Sequence, residues 1–255
     1  MHSATYKSLL LSICILSISV VAGFLLSRKI LPYEPSLELL KIEIFVAATI
    51  FLLQISLYSK AKTHLFYQLL FNGCFGFSLI LMLVSLFLPL LWVKHIGIGW
   101  KFFIASIFIA VAIFNVLLAF RLYEKRWVEF GRSEFDLLFK KSNDLIDWNH
   151  IQRVTNVPIS ILFPGIRQVW SDILTLVMFA LLFLGCALRG PYPVFGMATW
   201  ALPFFLCAIG FLQACAYNFA QALRVRLLQQ QSGTIFKSVV WSGRRPKAKK
   251  RNRSR

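Results

Sequence analysis

Charged residues are scarce in this 255-residue chain, and acidic residues are the scarcest of them. Asp, Glu, Lys and Arg together make up 15% of the residues, whereas about a quarter is usual in a soluble domain. So few charges cannot cover the surface of a water-soluble fold of this length. Because 58% of the residues are apolar, we expect most of the chain to lie in lipid.

The sequence also lacks the residue groupings that most catalytic and metal sites require. The five cysteines all fall in apolar stretches, and no two of them form a CxxC pair. They are Cys14, Cys74, Cys186, Cys207 and Cys215. No HExxH sequence occurs. We therefore expect no metal ion and no cofactor, and we interpret the cysteines as small packing residues.

Six stretches without charge are long enough, or nearly long enough, to cross a bilayer. A helix rises about 1.5 Å per residue, so about 20 residues cross about 30 Å of hydrocarbon. The uncharged stretches are residues 8–27, 44–59, 63–93, 102–120, 173–188 and 190–223. We predict an all-α polytopic transmembrane bundle with six spans. Glu43 and Asp172 precede the two shortest stretches, so we expect both at helix ends near the headgroups and no charge near the middle of a span.

Lys and Arg gather on one side of this predicted bundle. With six spans both termini lie on the same side, and 22 of the 28 Lys and Arg fall there, against six on the other side. Short loops rich in Lys and Arg stay in the cytoplasm. We therefore predict that both termini and a 50-residue loop between spans four and five are cytoplasmic, and we expect the inner membrane of a bacterium.

This topology divides the chain into four parts. Residues 1–120 hold the first four spans, 121–170 a cytoplasmic or interfacial loop, 171–223 the last two spans, and 224–255 a basic tail that we expect to be largely disordered. Within the loop, residues 121–132 could prolong the fourth helix. Residues 134–154 suit either two short amphipathic helices or a strand–turn–strand.

The tail ends in twelve residues of which eight are basic. They are Arg244, Arg245, Lys247, Lys249, Lys250, Arg251, Arg253 and Arg255. Such a block is normally disordered and binds an oppositely charged surface. The expected partners are anionic lipids of the cytoplasmic leaflet, other subunits of a membrane complex, and RNA or the ribosome, whose phosphates attract cations.

Four amide side chains lie within the predicted spans: Gln54, Asn72, Asn115 and Gln213. Asn and Gln in a span often form hydrogen bonds to a neighbouring helix, and we favour that interpretation over a pore or a lipid pocket. In the loop, His150 lies close to Asp147. An imidazole beside a carboxylate can act as a general base, so these two residues are the catalytic candidates.

Three functions fit these features. The one we favour is a non-catalytic membrane subunit, such as a scaffold, an assembly factor or a component of a transport complex, that docks partners through the loop and the tail. A transporter or channel for a neutral or lipid-like solute would need a polar path past Asn72, Asn115 and Gln213. A lipid-active enzyme at the cytoplasmic interface would need His150 and Asp147 in a cleft at headgroup depth.

Overall fold

The computed structural model describes residues 2–94, 97–133, 148–155, 159–160, 163–164, 167–188, 190–233 and 236. Over these ranges the chain is helical apart from short turns, and it contains no strand. The helices there are α1 (His2–Ile30), α2 (Tyr33–Ala61), α3 (Leu65–Phe87), α4 (Ile98–Ser133), α5 (Trp148–Val154), α6 (Gln168–Leu188) and α7 (Pro193–Ser232). A 3₁₀ turn, Leu88–Trp92, follows α3 directly.

All of these helices except the short α5 are long and apolar enough to cross a membrane. The predicted all-helical fold, with six helices that are long and apolar enough to cross a membrane, is therefore confirmed for the described part of the chain. A helix suits lipid because its backbone N–H and C=O groups bond to one another, and hydrocarbon offers them no other partner. Residues 121–132, interpreted as a continuation of the fourth helix, belong to α4.

Prolines mark several helix ends. Pro32 precedes α2, Pro89 lies in the 3₁₀ turn that closes α3, and Pro193 is the first residue of α7. Proline lacks an N–H and fixes φ, so it fits the first turn of a helix but interrupts the interior of one. Pro203 is the exception, because it lies inside α7.

Helices α3 and α7 form the centre of the bundle. Gly73 and Gly76 of α3 face Phe219 and Cys215 of α7 so closely that a side chain at either glycine would collide with its neighbour. Helices α1 and α2 pack on each other and on α3, whereas the extensive contacts of α4 and α6 are with α7 alone. The bundle is therefore compact on one side of the central pair and open on the other.

Helices α4 and α7 are longer than one crossing requires. They contain 36 and 40 residues, which corresponds to about 54 and 60 Å, against about 30 Å of hydrocarbon. Apart from Lys101 in the first turn of α4, their charged residues lie toward their C-terminal ends, from Arg121 onward on α4 and at Arg224 and Arg226 on α7. We call the end of the bundle that contains these termini, with the start of α3, the loop end.

The expectation that Glu43 lies at a helix end is wrong. Helix α2 begins at Tyr33, so Glu43 is the eleventh of its 29 residues, about 15 Å along the helix axis. Its side chain is buried, with 1% of the residue exposed. The uncharged stretch starts directly after Glu43, but the helix extends ten residues before it, through Glu34, Glu38 and Lys41.

Candidate functional site

At the loop end, where the helices pass from their uncharged to their charged parts, apolar and aromatic side chains from five parts of the chain form a buried cluster. Helices α3, α4, α5 and α7 contribute to it, together with a residue that follows α7. We call the following members the platform core: Leu65, Tyr123, Trp127, Phe130, Trp148, Ile151, Val225, Leu228 and Phe236. Hydrophobic burial of this kind is the main force that holds helices together outside lipid.

The short helix α5 is attached to this core by one face. Trp148 and Ile151 are three residues apart, so they lie on the same side of the helix, and both are buried. The Trp148 ring lies 6.2 Å, centroid to centroid, from the ring of Trp127 on α4. Thr155 closes the helix, since its backbone N–H and its hydroxyl both donate to the carbonyl of Ile151 at 2.8 Å.

An ion pair joins the two long helices beside the platform core. The Arg224 guanidinium on α7 donates to the Glu124 carboxylate on α4. The side chains are 27% and 60% exposed, so water screens their attraction and the pair contributes less than about 1 kcal/mol. It adds one polar contact between α4 and α7 beside the platform core.

The loop and the tail both depart from the platform core. Residues 134–147 connect the end of α4 to the start of α5, and both of those helices contribute to the core. Phe236 is buried in the same core, and its carbonyl accepts a hydrogen bond of 3.2 Å from the N–H of Leu65. The eight basic residues of the tail and Asp147 lie outside the described residues. His150 belongs to α5, but its side chain is also outside the description.

Two of the predicted amide side chains meet inside the bundle. The Gln213 amide on α7 donates to Asn115 Oδ1 on α4 at 2.9 Å, and Gln213 Oε1 accepts from the backbone N–H of Ser160 at 3.1 Å. Asn115 in turn donates to the carbonyl of Val111. Both amides are fully buried. This pair links α4, α7 and the segment that leads to α6.

A third predicted amide, Gln54, lies in a separate polar cluster among α1, α2 and α3. Gln54 Nε2 donates to Ser78 Oγ at 2.9 Å and to the carbonyl of Cys74 at 3.0 Å, and Ser78 is hydrogen bonded to Ser12 at 2.7 Å. The fourth amide, Asn72, is exposed on α3 and contacts neither cluster.

The site residues predicted from the sequence did not include the buried serines of α1 and α3, of which Ser12 and Ser78 belong to this cluster. Ser12 and Ser19 on α1 are seven residues apart, as are Ser78 and Ser85 on α3, and all four are fully buried. Seven residues are close to two helical turns, so each pair lies on one face of its helix. This seven-residue repeat is the feature of the sequence from which the buried serines could have been predicted.

Glu43 is the most unusual polar residue inside the bundle. Neither of its carboxylate oxygens has a hydrogen-bond partner among the described residues. Its carboxyl group lies against Gly23 of α1, where any larger residue would overlap it. Charged groups in the hydrocarbon region are costly. Among the described residues, no Lys or Arg forms an ion pair with this acid.

Within the described ranges, no group of three or more His, Cys, Asp or Glu could hold a metal ion. The six long apolar helices make this chain a multi-pass integral membrane protein. Comparison with known protein families, with curated proteins and with solved structures finds no match to the chain.

Proposed function

We propose that this protein is a non-catalytic membrane subunit that holds a partner protein at the cytoplasmic face of the membrane. The observation that supports this most is the platform core, from which the polar loop and the basic tail both depart. A connection between two spans needs no buried aromatic cluster of its own. A surface that must keep a fixed shape for a partner does need one, because a preorganised surface loses less entropy on binding.

The proposed topology places the loop end in the cytoplasm. Both termini and the loop between α4 and α6 then share the side that holds 22 of the 28 Lys and Arg, as the positive-inside rule requires. The inner membrane of a bacterium is the proposed location.

We propose a partner with an acidic protein surface. The terminal block, RRPKAKKRNRSR, contains eight cationic residues and no acidic residue, so its long-range attraction is to negative charge. It also contains no aromatic residue that could stack on an exposed base, although proteins that bind single-stranded RNA commonly use such stacking. This composition favours protein over RNA.

The two alternative functions gain less support. A polar path for a solute would need Asn72, Asn115 and Gln213 to line one route, but Asn115 and Gln213 bond to each other and Asn72 is exposed elsewhere. A lipid-active enzyme would depend on His150 and Asp147, whose side chains lie outside the described residues.

Site-specific crosslinking tests the proposed function. A photoreactive residue at Val128, which is 49% exposed on α4 beside the platform core, should capture one recurring protein in intact cells. Changing the eight tail cations to Gln should abolish this capture. The control variant changes Lys94 and Lys101, at the other end of the bundle, to Gln, and it should leave capture unchanged.

Three results would contradict the proposal. The first is capture of lipid alone, with a purified chain that carries no protein. The second is capture of RNA in place of protein. The third is a captured protein that is lost equally in the tail variant and in the Lys94 and Lys101 control, because a general loss of charge would then explain it.

A further inference from the structure

A cavity of about 370 Å³ opens at the loop end, between the turn that joins α2 to α3 and the C-terminal part of α7. It is lined by His64, Phe66, Tyr67, Arg226 and Gln229. None of these residues was a site candidate from the sequence, and the proposed docking function does not use them. We call this space the headgroup cavity.

Two cations are held beside the headgroup cavity by aromatic rings. The Arg226 guanidinium lies 5.8 Å from the centre of the Phe66 ring, and Lys60 Nζ lies 5.2 Å from the centre of the Tyr67 ring. The two rings are themselves 5.1 Å apart. A cation–π contact orders a cation but does not neutralise its charge. Among the described residues neither cation has an acidic partner, so both charges remain available.

Polar atoms that line the same region also have no partners. His64 Nδ1 and Gln229 Nε2 are buried, and neither forms a hydrogen bond within the described part of the chain. A buried donor without an acceptor is unfavourable. An anionic oxygen in the cavity would supply the acceptor that the Gln229 amide lacks.

A second cavity at the loop end differs from the headgroup cavity in the charged residues that line it. It has a volume of about 420 Å³ and lies between α4 and α7, but its Arg224 is already paired with Glu124. The headgroup cavity contains no acidic residue among those that line it. Arg226 lines both cavities, but only in the headgroup cavity does its guanidinium share the lining with no carboxylate.

The depth of the headgroup cavity points to a membrane lipid. Lys60 is in the last turn of α2, and Arg226 lies three residues past the uncharged stretch of α7. From these positions we expect both cations near the boundary between hydrocarbon and water. Tyr67 supplies the amphipathic ring that is common at this depth. Basic pockets between membrane helices bind the headgroups of anionic lipids.

We infer that the headgroup cavity binds the phosphate group of an anionic phospholipid in the leaflet at the loop end. Arg226 and Lys60 neutralise the phosphate, and Gln229 donates a hydrogen bond to one of its oxygens. The acyl chains extend along the apolar surface of the bundle. This inference does not depend on the docking function, because a lipid can occupy the cavity whether or not a partner is present.

Lipid titration of the purified full-length protein, followed by native mass spectrometry, tests this inference. Phosphatidylglycerol should bind more tightly than phosphatidylcholine. Arg226→Gln should weaken phosphatidylglycerol binding about fivefold or more, since one basic residue at an anionic surface has roughly that effect. Arg121→Gln is the matched control, because Arg121 is also an exposed arginine at the loop end, but on α4 and away from the cavity.

A second variant separates binding from folding. Gln229→Leu removes an amide whose nitrogen has no partner, so it should not lower stability, yet it should weaken phosphatidylglycerol binding. Equal binding of phosphatidylcholine, or equal weakening by Arg121→Gln and Arg226→Gln, would overturn the inference. Displacement of the lipid by millimolar inorganic phosphate would also overturn it, because the natural ligand would then be a soluble phosphate.

Discussion

The Gln213 amide on α7 donates a hydrogen bond of 2.9 Å to Asn115 Oδ1 on α4, across 98 residues of sequence. Among the membrane-crossing helices, α4 packs extensively only on α7. This buried hydrogen bond is therefore a polar contact that stabilises the position of α4 in the bundle. The platform core holds the same two helices together at the loop end. The position of α4, and with it the start of the polar loop, therefore depends on its contacts with α7.

Changing Gln213 to Leu should destabilise the bundle by about 1–3 kcal/mol. The substitution leaves Asn115 Oδ1 and the Ser160 N–H buried without their partners, and this range is the usual cost of an orphaned buried group. The free energy of unfolding in mixed micelles measures the effect.

Asn72→Leu is the matched control for Gln213→Leu. It replaces an amide in a membrane-crossing helix by the same residue, but Asn72 is exposed, so its unfolding free energy should hardly change. If the two variants lose equal stability, the bond between α4 and α7 does not have the role assigned to it.

Changing Gly23 to Ala should weaken the packing of α1 on α2 and lower the free energy of unfolding. The new methyl group would lie 2.8 Å from Glu43 Cδ, and overpacking of this kind typically costs about 1–3 kcal/mol. Gly97→Ala is the control, because nothing lies within 4 Å of a side chain added there. Unfolding in mixed micelles again provides the measurement.

A double variant identifies the cause of that loss. In a Glu43→Ala background the carboxyl group is absent, so Gly23→Ala should cost much less than it does in the natural chain. Residues in contact show this kind of non-additivity. Simple addition of the two effects would mean that Gly23 and Glu43 do not touch.

Changing Trp148 to Ala should release α5 from the platform core and leave the membrane-crossing helices intact. The indole is buried against Trp127, and truncating a buried aromatic residue typically costs about 3–5 kcal/mol. Limited proteolysis of the membrane-embedded chain should then cut near α5 much faster. Val154→Ala, at a residue of α5 that is 41% exposed, should leave the cleavage rate unchanged, and equal rates for both variants would refute the docking of α5.

Removing the ion pair between Arg224 and Glu124 should have a small effect. Glu124→Gln should lower the unfolding free energy by less than about 1 kcal/mol, and the difference should shrink as salt is added, because the pair is partly exposed. A loss well above that value, insensitive to salt, would show that the pair is effectively shielded from water.

The six membrane-crossing helices could be predicted because uncharged stretches of this length have few other uses. The depth of Glu43 could not be predicted in this way. The helix around it continues through charged residues such as Lys41, and only contact with Gly23 shows that the carboxyl group is enclosed. A count of uncharged residues marks where charge begins, but it does not mark where a helix begins.

The pairing of the helices could not be predicted either. Asn115 and Gln213 were both identified as polar residues within spans, yet nothing in their spacing indicated that they bond to each other. The platform core was missed for a related reason. Trp127 and Trp148 stand in a charged segment where aromatic residues are also expected at a membrane interface, and only their mutual packing distinguishes the two interpretations.

The most direct test of the central claim is the location of the loop and the tail relative to the membrane. Single cysteines introduced by Lys140→Cys, Arg255→Cys and Lys94→Cys can be treated with a membrane-impermeant maleimide in intact cells and in permeabilised cells, with the natural chain as the blank. We predict that positions 140 and 255 react only after permeabilisation, whereas position 94 reacts in intact cells. Labelling of positions 140 and 255 from opposite sides of the membrane would contradict the shared docking face and the topology on which it depends.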